Sequence, residues 1–218
     1  MNKKRILNVI ILVGFVLAYT FSLVSPSAAQ NKPFSLKGEY GLVGQSTCLT
    51  HWTVNPNGGN TSTHFVHTAS AQGTMTFNGH GTGWGTIYSV DVTLPIYSPI
   101  PNSSFWPDPT TPGILGYSST NVVDFEFTYT ITPDGKISRT LTRFEGTITS
   151  GPSQGKTFTQ TLFTLSGFVS KDMRTILLSS VPGQEEELTT EIFNSDNTLY
   201  GIQKRECHRT RTLTLIDK

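Results

Sequence analysis

The stretch Val123-Asp124-Phe125-Glu126-Phe127-Thr128-Tyr129-Thr130-Ile131 alternates apolar and polar residues without a break, and Pro133-Asp134-Gly135-Lys136 follows it. Successive side chains of a strand leave on opposite faces. Val123, Phe125, Phe127, Tyr129 and Ile131 therefore share one face, and Asp124, Glu126, Thr128 and Thr130 the other. The Pro-Asp-Gly turn sends the chain back through a second run, 137–149, where Ile137, Arg139, Leu141 and Arg143 oppose Ser138, Thr140, Thr142 and Phe144. An antiparallel hairpin with a dry face and a wet face is the reading, and the carboxylates Asp124 and Glu126 belong to the wet one.

The same grammar extends in both directions. Runs 65–77 and 84–94 flank Asn78-Gly79-His80-Gly81, and runs 157–169 and 175–181 flank Lys171-Asp172. A short run at 188–193 turns at Asn194-Ser195-Asp196-Asn197 into a long one, 199–216, and the first run is 36–52. Thr, Val, Phe, Tyr and Ile fill the runs, Gly, Asn, Asp and Pro the gaps, and no helical periodicity interrupts them. The fold class is all-β: a single antiparallel meander of about nine strands. An open meander leaves two unpaired edges, so the chain is expected to close into an up-and-down barrel.

The N-terminus has a different grammar. Lys3-Lys4-Arg5 precedes an apolar run from Ile6 to Val24, then Ser25-Pro26-Ser27-Ala28-Ala29-Gln30. Charge, apolar core and small residues in that order read as a secretory signal, residues 1–29, cut after Ala29. Residues 30–218 are then the single barrel domain, exported to a periplasmic or extracellular setting, with no stable membrane span after cleavage. Removal of Lys3, Lys4 and Arg5 turns a formal charge of +1 into −2. Nucleic-acid binding, which needs a surplus of Lys and Arg against phosphate, is not expected.

Two cysteines, Cys48 and Cys207, lie near the two ends of the mature chain. In an oxidising compartment an even count without metal-ligand spacing reads as a disulfide. Bridged Cα atoms lie within about 7 Å, so the first and last strands must be neighbours. Closure of the barrel makes the same demand.

Gly38-Glu39-Tyr40 in the first strand, with Arg205, Arg209 and Arg211 on the last, resembles the lipocalin and calycin pattern, in which a Gly-x-Trp packs against an Arg from near the chain end. Tyr40 stands where that family has Trp. The resemblance implies an eight-to-ten-stranded barrel with a ligand-holding interior.

Chemistry of other kinds finds little support. His64 and His67 fall on opposite strand faces, and His51, His80 and His208 have no carboxylate at ligand spacing, so neither metal nor cofactor is called for. The glycine run from Gly79 to Gly85 precedes no helix that could bind phosphate. No serine sits in a Gly-x-Ser-x-Gly elbow, and no catalytic residue is assigned.

Two features remain. Segment 94–121 carries half of the chain's 12 prolines together with Tyr97, Phe105, Trp106 and Tyr117. Such a segment cannot be a central strand and is expected to fold across one barrel end. Arg205, Arg209 and Arg211 share a face with Cys207 and turn inward if Cys207 does. The leading expectation is a barrel binding a small apolar or amphipathic ligand through Tyr97, Phe105, Trp106, Tyr117, Arg205, Arg209 and Arg211. The alternatives are an envelope protein-interaction module using segment 94–121, and an outer-membrane barrel, against which the polar face of 123–131 speaks.

Overall fold

The structure, a computed structural model, describes residues 35–54, 64–95, 116–181 and 186–216. Residues 1–29, expected to be a signal segment, and the part of segment 94–121 that holds Tyr97, Phe105 and Trp106 lie outside the described residues. The strands are β1 (Lys37–Val54), β2 (His64–Asn78), β3 (Thr82–Pro95), β4 (Tyr117–Ile131), β5 (Lys136–Ile148), β6 (Thr157–Gln160), β7 (Thr164–Val169), β8 (Thr175–Ser180), β9 (Glu186–Phe193) and β10 (Leu199–Leu215).

Strands β1 to β5 pair in sequence order, each antiparallel to the last. Strands β6 and β7 then lie end to end along β5, and β8 and β9 end to end between them and β10. Strand β10 returns to β1, from Tyr40 opposite Leu215 to Trp52 opposite Gln203. Ten segments thus fill eight positions of a closed antiparallel barrel. The nine expected runs fall into these eight positions because β8 and β9 share one. Antiparallel closure requires this: a meander with an odd number of positions would bring its first and last strands together parallel.

Cys48 stands directly opposite Cys207 across that closing pair, with a Cα–Cα separation of 4.1 Å, and the two form the expected disulfide. Both are buried, on the inward face.

The interior has two unlike halves. At the end holding the starts of β1, β3 and β5, Leu36, Tyr40, Leu42, Met75, Phe77, Phe127, Ile137, Leu165, Ile176 and Leu213 pack into a solid core. Phe77 sits at its centre, edge-on to Tyr40, Phe127 and Tyr129 at centroid distances of 5.3, 5.2 and 5.0 Å. The Tyr40 hydroxyl donates to Met173 O at 2.7 Å. Toward the other end the inward side chains become polar: Thr50, His67, Asp91, Thr93, Asn121, Gln160, Thr190, Gln203 and Arg209 are all buried.

Strand β3 explains how polar groups come to face inward. Phe125 and Phe127 of β4 lie over Gly85 and Gly83, where any Cβ would overlap their rings. That fit sets the odd-numbered face of β3 inward, and the period-two rule carries Ile87, Ser89, Asp91 and Thr93 with it. Trp84, Tyr88, Val90, Val92 and Leu94 are left outside, Trp84 at 54% exposure. In this strand the apolar row is the wet one.

Strand β5 carries a second departure. Glu126 faces Arg143 while Phe127 faces Leu141, so Thr142 is an extra residue and the strand changes face there. Arg143, expected beside Leu141, instead points outward to Glu126 and Glu145, with N–O separations of 3.3 and 2.7 Å, and Phe144 turns in toward Phe158 and Phe163.

Candidate functional site

The polar half of the barrel encloses a cavity of about 120 Å³. On the scale of about 10–15 Å³ for one water centre, this holds several waters or the head of a small ligand. Its lining mixes apolar residues, Ile87, Val123, Phe125, Leu141, Phe158 and Ile192, with polar ones, and β5, β6 and β9 each supply both kinds. Wider grooves on the outer surface, such as that along Val43, Tyr88 and Val90, are open to solvent.

A hydrogen-bonded chain runs across β2, β3 and β4. His67 Nε2 meets Asp91 Oδ2 at 3.1 Å, and His67 Nδ1 meets Thr93 Oγ1 at 3.1 Å. Asn121 Nδ2 donates to the same Asp91 oxygen at 2.7 Å and to Ser89 Oγ at 3.2 Å. An ionised carboxylate only accepts, so this network assigns the proton of neutral His67 to Nε2 and leaves Nδ1 to accept from the Thr93 hydroxyl. Hydroxyl, imidazole and carboxylate stand in the order of nucleophile, base and orienting acid; the same contacts also satisfy a buried histidine. Asp91 is 9% exposed, and among the described residues its Oδ1 has no hydrogen-bond partner.

Burial, reinforced by the charge of Arg205, draws His67 below its ordinary pKa, against the pull of Asp91. Burial works to raise Asp91, but the bond from His67 and the charge of Arg205 outweigh it and hold the carboxyl below its usual range. Both shifts favour neutral His67 beside ionised Asp91 at neutral pH. Their consequence for stability has one sign. The unfolded chain takes up the histidine proton near pH 6.5, which the folded protein resists, so stability falls as pH drops below that value. Protonation of Asp91 in the unfolded chain extends the loss at lower pH. We expect the thermal midpoint to decline from about pH 6.5 downward, and His67→Gln to flatten the first part of that decline. A midpoint equally steep in both proteins would contradict a buried neutral His67.

Four arginines reach the same cavity. On β10, Arg205, Arg209 and Arg211 share the face of Cys207, and since the disulfide points inward so do they. Arg205 Nε and Nη2 donate to Gln203 Oε1 at 3.2 and 2.6 Å. Arg209 Nη2 donates to Gln160 Oε1 at 3.4 Å, and its Cζ stands 4.2 Å from the Phe163 ring centroid. Gln160 in turn donates to Thr190 Oγ1 at 3.2 Å. Arg211 Nη1 donates to the carbonyls of Gln45 and Thr210, both at 2.7 Å. Arg139, on β5, is buried with its Cζ 5.7 Å from the centroids of both Phe125 and Phe127.

The structure thus brings Tyr117, Arg205, Arg209 and Arg211 of the expected set to the lining of one cavity, together with Cys48. It adds His67, Asp91, Thr93, Asn121, Arg139 and Gln160, which the sequence reading did not single out. Their only signal is an alternation running against its neighbours: Ser89, Asp91 and Thr93 interleave with exposed Tyr88, Val90 and Val92. Of the residues that carry the resemblance, Tyr40 packs edge-on to Phe77 and Arg211 lies over Gly44.

Comparison of the chain with protein-family models and with curated proteins finds no match.

Proposed function

We propose that the protein is an exported carrier or receptor that holds a small amphipathic ligand inside its barrel, in the manner of the lipocalin-like barrels it resembles. One observation carries the reading: a closed barrel whose interior is packed solid at one end and hollow at the other, the hollow being lined by both apolar and polar side chains. Ligand sites of small barrels have this form, an apolar enclosure with a few placed polar groups. A disulfide joining the first and last strands supports an oxidising, exported setting.

An outer-membrane role is disfavoured by the outward face of β4 and β5, where Glu126, Arg143 and Glu145 form ion pairs at positions lipid would cover. An envelope interaction module would use segment 94–121, of which residues 96–115 lie outside the described residues, and needs no hollow interior.

Filling the cavity separates these readings. Ala69 lines it and faces inward, so Ala69→Phe places a ring in the space a ligand would take. We expect the oxidised protein to bind a fluorescent amphiphile saturably with one site, and the Ala69→Phe protein, folded by circular dichroism, to bind at least about tenfold more weakly, since loss of 1.4 kcal/mol is tenfold. Equal binding by both would place the site outside the barrel and end this reading.

A further inference from the structure

Resting on the interior site just proposed, we infer that its ligand is an amphipathic oxyanion: one acidic head, carboxylate or phosphate monoester, on an apolar tail. The placement of Arg205 in the lining of the cavity carries the inference. Among the described residues that line it, Arg139, Arg205, Arg209 and Arg211 are cationic and Asp91 is the one carboxylate. Of that carboxylate, Oδ2 is already engaged by His67 and Asn121, both neutral donors.

Arg205 is the group best placed to take the head. Its hydrogen-bond acceptor is Gln203 Oε1, a neutral amide that receives both Nε and Nη2 and so holds the guanidinium in one orientation. A guanidinium fixed along one edge presents its remaining N–H groups in a planar fork, the shape that meets the two oxygens of a carboxylate or phosphate. Placing a cation in a partly enclosed wall is costly; the charge of Asp91 offsets part of that cost, and a ligand anion adds to that offset on binding. Arg209 is oriented in the same way by Gln160 and braced on Phe163. The tail follows from the apolar residues that also line the cavity, among them Ile87, Val123, Phe158 and Ile192. Asp91 Oδ1, buried and without a partner, marks a place beside the head where a donor of the ligand or a water is accepted.

The test compares heads on a constant tail. Octanoate, octyl phosphate and octan-1-ol are titrated calorimetrically into the full oxidised protein, its Arg205→Gln variant and its Arg205→Lys variant. Charged hydrogen bonds contribute about 1.5–3 kcal/mol, roughly 10- to 100-fold in affinity. We expect octanoate or octyl phosphate to bind at least tenfold tighter than octan-1-ol to the unaltered protein. Arg205→Gln should remove that preference while leaving octan-1-ol within about threefold, and Arg205→Lys, keeping the charge without the fork, should fall between. Whichever of the two acids binds tighter identifies the head. Octan-1-ol binding as tightly as both acids would overturn the oxyanion inference and leave the interior site standing. Binding of none of the three would overturn both. The comparison of heads on the unaltered protein decides the matter even if Arg205→Gln does not fold.

Discussion

Replacing both cysteines, Cys48→Ala with Cys207→Ala, should cost about 4 to 5 kcal/mol of unfolding free energy, the chain-entropy value for a loop of this size. The bridge spans 159 residues of sequence and joins strands that are already hydrogen-bonded along most of their length. Its contribution lies in the unfolded state, where it denies the chain the freedom to separate its two ends. Two signatures follow in a guanidinium titration. The midpoint falls, and the slope of free energy against denaturant rises, because the unbridged unfolded chain exposes more surface. The folded double variant should keep its far-ultraviolet spectrum, since the β1–β10 ladder does not need the sulfurs. An unchanged midpoint on removal of the bridge would mean that the closing strands hold each other in the unfolded state as well.

The second large effect belongs to Phe127→Ala, for which we expect a loss of about 3 to 5 kcal/mol. Phe127 is 1% exposed, edge-on to Phe77 and lying over Gly83. No small side chain can close the space, because the backbone of β3 forms its far wall and the rings of Phe77, Phe125 and Tyr129 are fixed by one another. The control is Trp84→Ala in the neighbouring strand. Trp84 is larger than Phe127, yet at 54% exposure it should cost no more than about 1 kcal/mol. The contrast reads the register of β3 directly. Should Trp84→Ala prove the more damaging of the two, the odd face of β3 is not the inner one, and Asp91 and Thr93 leave the cavity with it.

That register also marks where the sequence stops being legible. In β4 the alternation of Val123, Phe125, Phe127 and Tyr129 with Asp124, Glu126 and Thr128 is a full statement of which face is buried, and the structure follows it. The hairpin turns, the closing of first strand on last and the disulfide were legible for the same reason: each is a local or pairwise constraint. In β3 the rule inverts, since Gly83 and Gly85 carry no hydrophobicity of their own and act only through the Phe rings of another strand. In β5 one extra residue, Thr142, reverses the face of everything after it, and no composition signal announces a bulge. The sequence offers nine runs for eight barrel positions, because a break inside a strand line, such as that between β8 and β9, looks like any other turn.

The candidate site was half legible. Arg205, Arg209 and Arg211 could be assigned a direction only relative to Cys207, so the bridge that fixes topology also decides that they line a cavity. The chain of His67, Asp91, Thr93 and Asn121 comes from three strands, and each residue taken singly looks like a solvent-facing polar position. Polar groups become an interior network only when they find each other, and that depends on register rather than on residue type.

The account stands or falls on whether a ligand enters the barrel. Side-chain N–H resonances of Arg205, Asn121 and Gln160 report on the inner wall, and the Trp84 indole N–H on the outer one. During a titration with octanoate we expect the three inner groups to shift together along one saturating curve while Trp84 stays still. Shifts at Trp84 with the inner groups unmoved would show that the ligand meets the outside of the barrel and that the cavity is not its site.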